Sequence, residues 1–232
     1  MNSGKFRECE AILFDFGGTL DSDGEHWLDR FYALYEQMGL HIPQSDIKRV
    51  FYHADELCTS DPQVVSLGLR PLMERHIHLQ FTSLNLVDGE IEKRMTEAFC
   101  ERAEYFIRRN ARLLHRIKDH YVLGLVSNFY GNVATLCEEA GLTEILDVIL
   151  DSAQVGVGKP HPDIFRLALE GLKLPPEKVI YVGDSFERDM IPAREIGMKT
   201  IWLRGPNPRI PPNPGPVDAS ISMLSMLEEL IV

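Results

Sequence analysis

Polar side chains able to do chemistry stand where apolar runs stop. Asp15 follows Ala11, Ile12, Leu13 and Phe14, and Ser127 follows Val122 to Val126. Lys159 lies just past Val148 to Leu150, and Asp184 follows Val179 to Val182, with Asp189 shortly behind it. A carboxylate nucleophile, a hydroxyl, an ammonium and an acidic pair in one place suit phosphoryl transfer. Hard carboxylate oxygens hold Mg2+, the ammonium and hydroxyl hold phosphate oxygens, and Asp15 attacks phosphorus in line. Gly17 and Gly18, directly after Asp15, let backbone amides approach an anion without an intervening side chain.

Those residues meet only if the apolar runs are neighbouring strands that all point the same way. Short, continuously apolar runs bounded by turn formers suit strands buried on both faces of a parallel sheet. From Tyr121 onward the chain alternates strand and helix. Val122–Val126 precedes a helix from about Asn132 to Ala140, and Val148–Leu150 precedes one from Pro162 to about Leu172. Val179–Val182 precedes a helix from about Asp189 to Ile196, with Pro192 in its first turn, and Thr200–Leu203 is a further strand. Such alternation builds a parallel sheet covered by helices on both faces, whose carboxyl edge is the ligand-binding edge.

Between the first strand and this alternation the pattern is helical. Trp27, Phe31, Leu34 and Tyr35 recur at helical spacing, as do Ile47, Val50, Phe51, Ala54 and Leu57. A third stretch runs from about Pro62 to Leu79 and a fourth from about Gly89 to Arg116, with Pro43, Pro62 and Val87-Asp88-Gly89 as punctuation. The proline-rich residues 206 to 216 read as an extended surface connection to the terminal Ile221–Leu230 segment.

The net charge of −11 argues against a nucleic-acid partner, which would need a basic face. Cys9, Cys58, Cys100 and Cys137 form no C-x-x-C pair and read as reduced thiols of a cytoplasmic protein. No apolar run reaches membrane length and MNSGKFRECE has no signal-peptide core, so no membrane partner is expected. No feature specifies an oligomeric state.

The segments LFDFGGTL, GLVSN, VGKPHPDIF and YVGDSFERDM, in that order and spread over nearly the whole chain, resemble the motifs of the haloacid dehalogenase (HAD) superfamily. The resemblance is to the branch with a helical cap between the first and second motifs, phosphoglycolate-phosphatase-like in architecture. It implies an α/β fold: a Rossmann-like, doubly wound parallel sheet core (residues 1–21 and 121–232) with an inserted all-α cap (22–120). It implies an Mg2+-dependent phosphohydrolase acting on a small phosphorylated metabolite through an aspartyl-phosphate on Asp15. Ser127, Asn128 and Lys159 would hold the phosphate. Asp15, the backbone carbonyl of Gly17, Asp184 and Asp189 would hold the metal, the last directly or through water.

One position departs from that pattern. Family phosphatases carry a second aspartate two residues after the nucleophile as general acid and base, and here the position is Gly17. The loss should cost about 10²–10⁴-fold and spare substrates whose leaving group needs no proton. Asp21, Asp23, Glu25 and His26 are the nearby replacements, with His26 the best by intrinsic pKa. Arg70, Arg75 or the run Arg108, Arg109, Arg112 could meet a substrate carboxylate or second phosphate. Rival readings are a catalytically weak phosphate- or metal-binding relative, and a C–P hydrolase using a cap lysine, Lys48 or Lys93. Dehalogenation ranks lower, because relatives with that activity place an aromatic hydroxyl at the Gly17 position.

Overall fold

The computed structural model describes residues 4–206, 208 and 215–231. Among the described residues, six strands form one wholly parallel sheet: β1 (Ala11–Phe14), β2 (Val122–Ser127), β3 (Val148–Asp151), β4 (Val179–Gly183), β5 (Lys199–Leu203) and β6 (Ala219–Ile221). Their order across the sheet is β3-β2-β1-β4-β5-β6. The first strand is therefore central, which is why all four of its residues are buried apolar ones. Phe14 is level with Leu125 of β2 and Val182 of β4. That register puts Asp15, Ser127 and Asp184 within two residues of one line at the carboxyl edge.

Side chains alternate across the sheet. Ile12, Phe14, Leu125 and Val182 face one apolar cluster, which also holds Trp27, Phe31 and Phe99. Leu13, Val126 and Tyr181 face the other, with Ile164, Phe165 and Met190. Helices α5 (Val133–Glu139) and α9 (Leu227–Ile231) pack on the first face; α7 (Pro162–Leu172) and α8 (Ile191–Glu195) pack on the second. The short helix α6 (Ser152–Val155) sits between β3 and α7. The α/β class and doubly wound sheet expected from the alternation are what the chain forms.

Between β1 and β2 lie α1 (Trp27–Gln37), α2 (Gln44–Ser60), α3 (Leu69–Ser83) and α4 (Gly89–Ile117). Helix α4 starts where Asp88 accepts a hydrogen bond from the Ile91 N–H (3.0 Å), with Glu90 and Glu92 in its first turn and His115 and Arg116 in its last. The apolar faces of α1 to α4 close on Phe31, Phe81 and Phe99, all 2% exposed or less. Truncating any one of these rings to Ala would cost about 3–5 kcal/mol.

Two boundaries differ from the sequence reading. The stretch beginning at Pro62 is a 3₁₀ turn (Pro62–Ser66), and only after Gly68 does α3 begin and run on to Ser83. Asp61 caps the turn through the Gln63 N–H (2.9 Å), and Glu139 of α5 caps α3 through the Leu69 N–H (3.0 Å). The helix expected from Asp189 instead opens with a wide turn over Phe186–Met190 that hands over to α8. There the Asp189 N–H donates to Ser185 O (2.9 Å) and the Met190 N–H reaches the same oxygen (3.3 Å), the wider i−5 spacing, while Pro192 sits in the first turn of α8, where its missing N–H is tolerated. The terminal segment also supplies a short edge strand, β6, that period reading did not separate. Most of the proline-rich stretch 206–216 lies outside the described residues.

Candidate active site

Asp15 is held by one oxygen. Its Oδ1 accepts from the Phe16 N–H (2.7 Å), Ser127 Oγ (2.8 Å) and Lys159 Nζ (2.9 Å). Three donors on a single oxygen fix the carboxylate plane and leave Oδ2 for the cavity, the posture an attacking oxygen requires. Lys159 is buried between two carboxylates, with Asp189 Oδ1 at 2.7 Å and the Tyr181 hydroxyl at 3.1 Å. Burial alone would lower its pKa; the charges of Asp15 and Asp189 outweigh it and hold the ammonium above its ordinary value. Tyr181 passes its own proton to Val126 O (2.9 Å), so its oxygen is turned to accept from the lysine.

The loop behind Lys159 is clamped from β2. The Asn128 amide donates to Lys159 O (2.7 Å), and Asn128 Oδ1 accepts from the Lys159 N–H (2.8 Å). Both ends of that side chain are thus committed to Lys159 backbone, which leaves the Asn128 main chain for an anion. Asp151, at the end of β3, accepts from the N–H groups of Gly131, Val133 and Ala153 (2.8, 3.1 and 3.0 Å) and so fixes the loop that carries Ser127 to Tyr130.

Asp184 approaches from β4. Gly18, at φ +87°, makes room for it, because a Cβ there would lie about 2.5 Å from the Asp184 carboxylate. Oxygens of Asp15, Asp184 and Asp189 all lie within 4.8 Å of one another. Burial, then the charges of Asp15 and Asp189, pushes Asp184 well above the usual carboxylate range. Burial likewise pushes Asp189 up to about 6, although Lys159 opposes it. Crowded, desolvated carboxylates against one ammonium carry surplus negative charge, and an all-oxygen donor set of this size fits a hard divalent cation. Asp189 is the least available of the three, since its second oxygen accepts from the Ser185 N–H (3.0 Å).

A cavity of about 300 Å³ opens over these groups, with Asp15, Gly17, Ser127, Lys159 and Asp184 on its sheet side. The model of one protein family matches residues 9–197, described as haloacid dehalogenase-like hydrolase. The chain belongs to that family. Among its HAD-like relatives are a glyceraldehyde 3-phosphate phosphatase of Pyrococcus furiosus, 35% identical over 95 residues (40% of this chain, 39% of that protein). Another is a phosphoserine phosphatase of Thermus thermophilus, 40% identical over 73 residues (31% and 29%). The matched stretches span about two fifths or less of those relatives. A HAD phosphatase from Thermococcus onnurineus (TM-score 0.55, 22% identity, 95% and 96% coverage) shares the fold. So does a dehalogenase solved with an intermediate (TM-score 0.64, 18% identity, 97% of each chain).

The acidic residues offered as substitutes for the absent aspartate are engaged elsewhere. Asp21 is fully buried and takes both Arg30 nitrogens (2.8 and 3.0 Å), the Trp27 indole N–H (2.6 Å) and the Gly18 N–H (2.7 Å). Asp23 pairs with Arg109 of α4 (2.6 and 2.8 Å), and Glu25 with Arg102 (2.6 Å). These pairs tie the chain leaving β1 to α1 and α4. Only His26 of that group lines the cavity, and its Nδ1 accepts the Leu28 N–H (3.1 Å), which puts the proton of a neutral ring on Nε2.

The arginines expected to meet a second anion are not at the cavity either. Arg75 pairs with Asp61, and Arg108 with Glu104 (3.2 Å). Lys48 and Lys93 are likewise outside the lining; Lys93 is exposed beside Glu97 (4.0 Å). What sequence reasoning missed is on α2 and α3: Asp55 lines the cavity and is backed by the buried His76. No periodic signal links residues on two helices and a β2 loop.

Proposed function

We propose that this HAD-like hydrolase is an Mg2+-dependent phosphohydrolase acting on a small phosphorylated metabolite. The observation that carries it is the Asp15 carboxylate, which lines the cavity and is pinned at Oδ1 by Ser127, Lys159 and a backbone N–H, so that Oδ2 is the oxygen left to attack. The phosphatase names of relatives support the same class. Asp15 Oδ2 attacks phosphorus, the bond to the leaving oxygen breaks, and the phosphoryl group rests on Asp15 as an acyl phosphate. Water then attacks that phosphorus, frees inorganic phosphate and returns the carboxylate.

Lys159 and the Ser127 hydroxyl hold phosphate oxygens, with Asn128 contributing main chain. Asp15, the Gly17 carbonyl and Asp184 would hold Mg2+, with Asp189 acting through water or through Lys159. When bound, the cation supplies neutralising charge between the carboxylates and the phosphate. The helical residues 22–120 serve as a cap over the core formed by 1–21 and 121–232.

Gly17 favours a second reading, a relative that binds phosphate and turns over weakly. Hydrolysis of p-nitrophenyl phosphate with Mg2+ separates the two. The wild-type protein should hydrolyse it and Asp15→Asn should not; equal rates in both would defeat the nucleophile assignment.

A further inference from the structure

The helical side of the cavity has a chemistry opposite to that needed for a second anion. Among the described residues, its only cationic lining groups are Lys159 and Arg188, both on the sheet side. The helices contribute Trp27, Phe51 and Tyr52, with Tyr130 rising from the β2 loop, and one carboxylate, Asp55 of α2.

Asp55 is built into place. Tyr35 donates its hydroxyl proton to Gln80 Oε1 (3.2 Å), which turns the Gln80 amide nitrogen toward His76 Nδ1 (2.8 Å). His76 therefore carries its proton on Nε2 and donates it to Asp55 Oδ1 at 3.0 Å. The Tyr130 hydroxyl donates to the same oxygen. Tyr35, Gln80 and His76 are all 0% exposed. A buried relay aimed at one oxygen fixes the carboxylate in place and leaves Oδ2 as an acceptor on a wall shared with Phe51, Tyr52 and Tyr130. A carboxylate among ring faces attracts an ammonium, by charge and by the rings' quadrupoles. It repels a carboxylate or second phosphate.

We propose that Asp55 and the surrounding rings select a phosphate ester whose leaving group carries an ammonium, a phosphorylated amino alcohol in chemical class. The proposal rests on the phosphohydrolase reading for the phosphate end and adds the recognition of the other end. It is tested with three esters of matched length: 2-aminoethyl, propyl and carboxymethyl phosphate. Wild-type kcat/KM for the aminoethyl ester should exceed that for the propyl ester by at least about tenfold, with the carboxymethyl ester poorest. In Asp55→Asn, which keeps an acceptor for His76 and Tyr130, the aminoethyl-to-propyl ratio should collapse to about one.

Preference for the carboxymethyl ester, or an equal loss on the aminoethyl and propyl esters, overturns the proposal. Calorimetric binding of the same two esters to both proteins gives a readout free of turnover. If no ester is hydrolysed, the phosphohydrolase reading fails alone provided the aminoethyl preference in binding persists and is lost in Asp55→Asn. Absence of that preference overturns the ammonium site whatever the turnover.

Discussion

Restoring a carboxylate at Gly17 should restore speed in a substrate-dependent way. The backbone there is outside the left-handed region, and a Cβ would meet Trp27 Nε1 at 3.5 Å and Phe129 Cε2 at 3.8 Å, both ordinary contacts. Gly17→Asp is therefore accommodated, and its carboxyl enters the cavity beside Asp15. The missing group would protonate a leaving alkoxide and later deprotonate the attacking water, an effect of about 10²–10⁴-fold, or roughly 3–5 kcal/mol. An alkyl phosphate needs both steps; an aryl phosphate leaves without a proton and gains only in the second. Steady-state kcat/KM for propyl phosphate should thus rise by about 10²-fold or more, and that for p-nitrophenyl phosphate by clearly less. Equal gains, or none on the alkyl ester, would refute the reasoning and show that a resident group, His26 foremost, already supplies the proton.

Three further outcomes follow from the charges. Asp189 is pushed up to about 6 in the fold, above its ordinary 3.8, and Asp184 is raised as well. A carboxyl whose folded pKa is raised favours folding while protonated, so the metal-free protein should lose stability as pH rises from about 4 to beyond 6. Added Mg2+ should accordingly raise Tm more at pH 7.5 than at pH 5, and an equal shift at both would contradict the carboxylate site. Arg30→Met would strand the fully buried Asp21 and should lower unfolding free energy by about 3–5 kcal/mol in a denaturant titration. A loss under about 1 kcal/mol would mean that the Trp27 and Gly18 donors suffice.

Much of this architecture was legible because its signals are local. Ala11–Phe14, Val122–Val126 and Val179–Val182 are apolar runs that end on Asp15, Ser127 and Asp184, and parallel pairing turns those ends to one edge. Residues whose meaning comes from partners far along the chain were not legible. Asp21 and Asp23 look like free acids near the motif until Arg30 and Arg109 arrive from the helices. Nothing local to Asn128 signals that both ends of its amide go to the Lys159 backbone. Asp55, His76 and Gln80 sit on helix faces where spacing alone signals packing, and β6 is too short for any period to emerge.

The nucleophile is tested most directly by trapping it. With Gly17 in place of the usual base, hydrolysis of the proposed acyl phosphate on Asp15 should be slow and the intermediate should accumulate. Protein turning over p-nitrophenyl phosphate with Mg2+ is quenched into borohydride, which reduces an aspartyl-phosphate to homoserine, and the peptide spanning Ala11–Leu20 is weighed by mass spectrometry. Homoserine is expected at position 15, dependent on substrate. Ongoing hydrolysis with Asp15 unmodified, or homoserine at another aspartate, would contradict the nucleophile's place at Asp15.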